Sequence, residues 1–365
     1  MAERTVADHR RVLRDRVPLI DLRAPTEFAQ GAFPAAVNLP LLTDAERAAV
    51  GSRYKGCGQQ AAIELGHSLV SGATRAARID AWRTFVAAHP TAMLYCWRGG
   101  LRSQIAQDWL RDCGVDVPRI VGGYKALRRT CLASIDEFCA TARLLVLGGR
   151  TGSGKTELLN EFPTSLDLER LANHRGSAFG AGFTPQPTPI AFENALAVAM
   201  LRAPAGATIL VEDESRTIGR LALPDALHDA IQAAPVAVLD VDCDERAARI
   251  LRDYVEAPLS SGVTAEDLHA RFAAAADRIR RRLGGVRHAY VERAIDDAFA
   301  PSAPADAHLR WITALLEWYY DPMYEHQLTA KQSRVVVSGD VATVRRYLTN
   351  RLGGERGTGR PAREP

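Results

Sequence analysis

Several protein classes are excluded by what this chain lacks. No apolar run approaches the roughly 18–20 residues that a membrane helix requires. The first sixteen residues are basic but contain no apolar stretch of the secretory kind. A cytoplasmic protein with no membrane partner is therefore expected. Six cysteines stand at 57, 96, 113, 131, 139 and 243, without a C-x-x-C pair and without zinc-finger spacing to histidine. Structural zinc and disulfides are not expected, so each thiol is judged by its local setting. There is no internal repeat. Charge of one sign is also scarce. The formal net charge is only +3, too small to name a nucleic-acid partner. Lysine is rare and the basic residues are nearly all arginine, which pairs bidentately with phosphate but can equally reflect genome composition.

What is present is enough apolar sequence for two cores, 47% hydrophobic residues over 365 positions. Short apolar runs at 17–21, 92–96 and 119–121 read as buried strands, with a helix at 103–113 between the last two. Strands alternating with helices imply a parallel sheet. After a helical connector at 130–142 a second series begins, with strands at 143–148, 208–212, 236–240 and 334–338. Residues 265–300 read as helical and charged, and 308–328 as an aromatic helix broken at Asp321-Pro322. The fold class is α/β, a parallel-sheet domain at 1–138 followed by a second α/β domain at 139–352 with a helical C-terminal part. A tail at 353–365, rich in Gly, Arg and Pro, is expected to be disordered.

Gly149-Arg-Thr-Gly152-Ser153-Gly154-Lys155-Thr156 fits G-x-x-x-x-G-K-[ST] in full, after an apolar strand and before a helix-like run. Its glycines let backbone N–H groups converge on phosphate oxygens at a helix N-terminus. Lys155 can neutralise a terminal phosphate and Thr156 can ligate Mg2+. The motif specifies a di- or triphosphate, not a nucleotide, and this P-loop makes the second domain NTPase-like. Glu212, Asp213 and Glu214 end the next strand, and alternation does not say which of them faces a metal.

Cys96-Trp-Arg-Gly-Gly-Leu-Arg-Ser103 ends one strand and opens a helix. A thiol there meets loop N–H groups, with Arg98 and Arg102 adding positive charge, and these favour the nucleophilic thiolate. Chalcogen transfer fits such a site. So does phosphate-ester hydrolysis, because Cys96 and Arg102 have Cys-x5-Arg spacing, although no histidine precedes the cysteine. Cys113, Cys131 and Cys139 read as core residues in helices and Cys243 as structural. Cys57, between two glycines, is the second candidate for a reactive thiol.

Asp21-Leu-Arg-Ala-Pro-Thr-Glu27-Phe28 and Gly31-Ala-Phe-Pro-Ala-Ala-Val-Asn38-Leu-Pro40 resemble the opening of rhodanese domains. With the Cys96 loop, Gly122-Gly-Tyr-Lys125 and the P-loop, the chain resembles the tRNA 2-selenouridine synthase family. Segments at 61–67, 171–180, 192–194, 212–219 and 319–324 carry the resemblance across nearly the whole chain, and Cys57 is not a family position. The resemblance implies a rhodanese-like first domain and an enzyme of the transferase class. Its substrates are tRNAs for Lys, Glu and Gln bearing 2-thiouridine at the wobble position. The implied co-substrates are geranyl diphosphate, held by the P-loop, and selenophosphate, with no tightly bound cofactor and with a selenophosphate-supplying enzyme as a possible partner. Sulfur is first geranylated, then replaced by selenium, with Cys96 as catalytic residue carrying selenium as a selenopersulfide. The five-residue spacer of the loop is expected to be wide enough for the phosphate of selenophosphate. His174 and Arg175 are candidate substrate contacts, as is Arg216. Arg280, Arg281 and Arg287, with Arg278, Arg282, His288 and Arg293 nearby, are candidates for tRNA contact; Trp97 could stack on a base, and Tyr319 and Tyr320 read as core. The alternative is a rhodanese/P-loop kinase fusion acting on small molecules with ATP.

Overall fold

The computed structural model describes residues 5–353. Of the tail expected at 353–365, all but Gly353 lies outside the described residues. The chain divides into two compact units, residues up to 138 with 187–202, and 139–186 with 203 onward. Among the described residues no helix is long and apolar enough to cross a membrane.

In the first unit, β1 (Thr5–Val6), β2 (Leu19–Asp21), β3 (Ala36–Asn38), β4 (Met93–Tyr95) and β5 (Arg119–Ile120) form one sheet in the order β1-β5-β4-β2-β3, and every pairing is parallel. β1 and β3 had no sequence signal: two or three residues are too few to show a period. Leu19, Ile20 and Leu94 are buried, as strands covered on both faces should be. Helix Pro189–Arg202 belongs to this unit, whereas its place in sequence grouped it with the second domain. Asn194 Nδ2 donates to Ala32 O at 3.0 Å, and Arg128 donates to Asn194 Oδ1 at 2.9 Å. The contacts span 162 and 66 residues, a range that local patterning does not reach.

The end of β2 carries a fully buried ion pair, which a tyrosine at the end of β4 joins. Arg23 Nη2 lies 2.7 Å from Asp21 Oδ2, and both side chains are sealed from solvent. The guanidinium also donates to Gly31 O at 2.8 Å and sits 3.8 Å from the Tyr124 ring. Tyr95 donates its hydroxyl to Asp21 Oδ2 at 2.5 Å. With every charge paired, the burial is tolerated; with one partner removed, it is not.

The second unit is built on β6 (Arg143–Gly149), β7 (Ser165–Leu166), β8 (Thr208–Glu212), a small β9 (Thr217–Ile218) and β10 (Leu221–Ala222) hairpin, β11 (Val236–Leu239) and β12 (Val335–Gly339). The main sheet runs β12-β11-β6-β8-β7, again all parallel, which puts β6 at its centre. A helical part packs around Phe272, Trp311, Leu315 and Tyr320. The stretch at 265–300 is helical as expected, in two helices, Ala265–Leu283 and Gly285–Ala298, divided at Gly284 with φ 84°. One helical expectation needs correction. The aromatic helix is not broken at Asp321-Pro322. The chain passes through a π turn at Leu316–Tyr320 straight into helix Asp321–Lys331. The wide turn interrupts the regular ladder just where proline would remove a donor.

Replacing Asp21 by Asn strands the Arg23 charge in the core. Urea unfolding of the full chain should show a loss of roughly 3–5 kcal/mol in the first unit's transition; an unchanged transition would show that the pair does not hold the sheet.

Candidate functional site

Cys96 follows β4 and leads through a tight loop into helix Leu101–Asp112. The loop leans against the turn that follows β5. Tyr124 N donates to Cys96 O at 2.8 Å, Lys125 N to Trp97 O at 3.1 Å, and Arg119 Nη1 to Gly99 O at 2.8 Å. In a trans peptide the N–H points opposite the C=O. The N–H groups of Trp97, Arg98 and Gly100 are thus turned away from that neighbouring turn, the orientation an anion cradle needs. The approach is possible only for glycine: a Cβ on Gly123 (φ 56°) would lie 2.2 Å from Cys96 O and 2.3 Å from Gly99 N. The Cys96 thiol is buried, 3.4 Å from Ser103 Oγ and 3.9 Å from Gly100 O. Ser103 itself donates to Gly100 O at 2.8 Å. Ser103, not an arginine, is the side chain at hydrogen-bonding distance of the sulfur; the motif contained it, but spacing did not assign it a role.

The two loop arginines differ. Arg98 is exposed. Arg102 is engaged with Glu27, Nη1 to Oε2 at 2.6 Å, and the pair holds the Glu27 carboxyl below its usual range despite its burial. The positive charge that Arg102 was expected to lend the thiolate is thereby largely balanced. Trp97 stacks on Tyr124 with ring centroids 5.2 Å apart, so it is packed against the loop's support.

In the second unit the P-loop joins β6 to helix Lys155–Leu159, and Gly149, Gly152, Ser153, Gly154, Lys155 and Thr156 all fall within it. Two arginines hold its carbonyls. Arg246 donates to Thr151 O at 3.3 Å and grips Asp321 with both nitrogens, at 2.8 and 2.7 Å. Arg249 donates to Gly152 O at 2.9 Å. Lys155 Nζ is folded over the loop, 2.7 Å from Gly149 O, and Ser153 is wholly buried. None of Arg246, Arg249 and Asp321 was picked out from sequence as a support of the loop; they lie 75 or more residues from their partners.

The three adjacent carboxylates separate cleanly. Glu212 accepts the Thr156 hydroxyl at 3.0 Å. Asp213 is paired with Lys331 at 2.5 Å. Glu214 is buried beside Gly176, whose added Cβ would meet its Oε2 at 2.5 Å. A fourth acid, Glu169, joins them, accepting from Thr156 Oγ1 at 3.2 Å and from Gly176 N at 2.5 Å. It was not singled out from sequence because it follows β7, a strand of two residues. Burial, then the neighbouring charges of Glu169 and Asp167, push the Glu212 carboxyl up to about 8. Burial and the charges of Glu169 and Glu212 push Glu214 well above the usual range.

Beside the loop lies a narrow apolar cleft lined by Thr151, Ile250, Tyr254, Trp311, Leu315 and Tyr320, between the π turns Leu251–Glu256 and Leu316–Tyr320. Arg175 stacks over Tyr254 at 4.6 Å and donates to Asp253 O at 3.1 Å, so it supports this wall. Burial lowers the pKa of His174. Arg216 is paired with Asp225 at the surface. Arg280, Arg281 and Arg287 are exposed, whereas Arg278 donates to Ala178 O at 3.0 Å. His288 is buried, which removes it from any surface contact. Tyr319 and Tyr320 are core residues. Cys113 is exposed at the end of its helix, contrary to the core expectation, while Cys131 is buried and its thiol pushed up to about 12. Cys57 is exposed.

Glu212 keeps its proton to about pH 8 in the folded protein, but unfolded it releases it near 4.5. Below the lower value its burial carries no ionisation penalty; between the two values folding grows less favourable as pH rises. Urea midpoints should therefore fall from pH 5 to 8, and Glu212→Gln should make that fall shallower by an amount on the order of a few kcal/mol. Glu214, shifted in the same direction, leaves part of the slope in place. Parallel pH profiles for the two proteins would contradict the assignment.

Residues 142–354 match the family described as the tRNA 2-selenouridine synthase AAA domain. Over nearly its full length the chain is similar to proteins named tRNA 2-selenouridine synthase. That of Hahella chejuensis is 48% identical over 355 residues, covering 94% of each chain. That of Marinobacter nauticus is 48% identical, covering 94% of this chain and 97% of the other. That of Bordetella petrii is 49% identical, covering 92% and 93%. With a P-loop in one unit, a cysteine loop in the other and this similarity spanning both, the chain belongs to the tRNA 2-selenouridine synthase family.

Proposed function

We propose that this protein makes 2-selenouridine in tRNA, by geranylation of 2-thiouridine at the wobble position followed by exchange of the geranylthio group for selenium. The observation that carries the reading is a buried thiol in a strand-end loop, beside Ser103, in one unit of a chain whose other unit carries a complete P-loop. The first unit is read as rhodanese-like. The P-loop is assigned geranyl diphosphate. Lys155 and the loop N–H groups would neutralise the diphosphate as its C–O bond breaks, and the cleft beside Thr151 offers an apolar wall. Thr156 and Glu212 suit a Mg2+ ion completed by phosphate oxygens, which would relieve the crowding of acids around Glu212. Such an ion supplies charge neutralisation of the leaving group. Among the described residues no cluster of three or more His, Cys, Asp or Glu could hold a metal by itself.

Selenophosphate is assigned to the Cys96 loop. Its selenium becomes bonded to C2 of the base, the C2–S bond breaks, and geranylthiolate leaves with the electron pair and takes up the proton of the Cys96 thiol, which water restores. This takes the place of the selenopersulfide that the resemblance implies, because selenide-level selenium could join the Cys96 sulfur only with a two-electron oxidant. Water receives the phosphoryl group as phosphate. Selenium keeps its oxidation level, so no added oxidant or reductant is needed. The tRNA substrates are proposed to be the Lys, Glu and Gln acceptors, held in part by the exposed Arg280, Arg281 and Arg287. A wobble base is already in a single-stranded loop, so presenting it costs little.

The test is mass spectrometry of nucleosides from thiolated tRNA-Lys given geranyl diphosphate and then selenophosphate. Wild type should yield the geranylated and then the selenated base. Cys96→Ala should stop after geranylation and Lys155→Ala before it. Unmodified tRNA together with ATP consumption by the wild type would instead indicate a kinase fusion.

A further inference from the structure

Two helices of the second unit, Ala265–Leu283 and Gly285–Ala298, meet at Gly284, and exposed arginines gather at the junction. Arg280, Arg281 and Arg282 end the first helix. On the second, Val286, Tyr290 and Arg293 share a side at helical spacing, with Arg287 one turn before Tyr290. Val291, Ala294, Ile295 and Ala298 of the same helix are buried.

Local preferences run against this arrangement. Arg287 stands in a first helical turn, where the helix dipole disfavours a cation, and that turn holds no acid to offset it. Val286 is 88% exposed and Tyr290 42%. Trp318, from the π turn Leu316–Tyr320, meets both neighbours: its ring lies 5.2 Å from the Tyr290 ring and 5.6 Å from the Arg287 guanidinium. The nearby acids engage only part of the positive charge. Asp277 lies 4.0 Å from Arg280, and Glu292 lies 3.7 Å from the buried His288. Among the described residues no carboxylate is within salt-bridge distance of Arg281, Arg287 or Arg293. Residues that break local rules around one spot mark a working surface. Unpaired guanidinium groups suit phosphates, and an exposed, steadied aromatic ring suits an unstacked base.

We infer that this surface docks the anticodon loop of the tRNA, with Arg281, Arg287 and Arg293 neutralising its phosphates and Tyr290 stacking an unpaired base. The inference rests on the proposed action at the wobble position and deepens it. Arginines alone would hold any RNA; Tyr290, steadied by Trp318, makes the surface select single-stranded RNA. A duplex keeps its bases stacked and offers phosphates only. The phosphate contacts make affinity salt-dependent, and the stacked base adds affinity without adding to that dependence.

The test titrates the full chain against two labelled RNAs over a range of salt: the anticodon stem-loop of tRNA-Lys and a fully paired duplex of equal length. Wild type should bind the stem-loop about ten-fold more tightly than the duplex. Tyr290→Ala should remove that advantage without weakening the duplex, and Tyr290→Phe should keep it. Arg281→Gln, Arg287→Gln and Arg293→Gln combined should weaken both RNAs and flatten the slope of log affinity against log salt by about two. As a charge-matched control, Arg345→Gln, Arg346→Gln and Arg351→Gln combined, on exposed positions of helix Val341–Leu352, should bind as wild type does. Equal losses in the two triple variants, or an unchanged preference for the stem-loop in Tyr290→Ala, would overturn the inference. Binding requires no turnover, so a wild type that shows this preference yet leaves tRNA unmodified would count against the proposed chemistry alone.

Discussion

Both loops depend on one constraint: backbone carbonyls held away from the face where an anion would sit. A peptide cannot turn its C=O outward without turning its N–H inward. In the first unit the tethers are Tyr124 N, Lys125 N and Arg119; in the second they are Arg246 and Arg249. These tethers come from distant chain segments and are themselves anchored. Arg246 is clamped by Asp321, and the turn carrying Tyr124 packs on the buried Arg23. The parallel sheets set this up, because each loop follows the C-terminal end of a sheet strand, where α/β folds place their ligands.

Around the P-loop the charge arrangement is lopsided. Glu212 and Glu169 both meet the Thr156 hydroxyl, and burial together with neighbouring acids makes ionisation of Glu212 and Glu214 expensive. Asp213, lying between two of them in sequence, is neutralised by Lys331. A site of this kind gains most from a polyanion that arrives with a cation. In the first unit Arg102 is balanced by Glu27, so an anion at the thiol would be met by backbone N–H groups more than by this arginine.

The strongest features of the fold were legible because they are local. The buried strands at 143–148, 208–212 and 236–240 show as unbroken apolar runs, and β6, β8 and β11 occupy them closely. The P-loop and the cysteine loop are contiguous motifs, each at the end of such a run. Long-range pairing was not legible. Nothing near Arg246 announces Asp321, and nothing near Glu169 announces Thr156. Helix Pro189–Arg202 was grouped with its sequence neighbours because its partners, Ala32 and Arg128, lie far back in the chain. Three adjacent acids could not be ranked by period at the end of a strand; the hydroxyl of Thr156 and the ammonium of Lys331 distinguish them. The cleft beside Thr151 leaves no sequence pattern at all, since its walls are ordinary core residues.

The central claim is that the two loops perform separate steps on the same base. Lys155→Ala supplied with tRNA that has already been S-geranylated tests it most directly. With selenophosphate, the variant should form 2-selenouridine at a rate close to wild type, because the P-loop is not needed for the second step. A variant as inactive on this tRNA as on thiolated tRNA would contradict the division of labour.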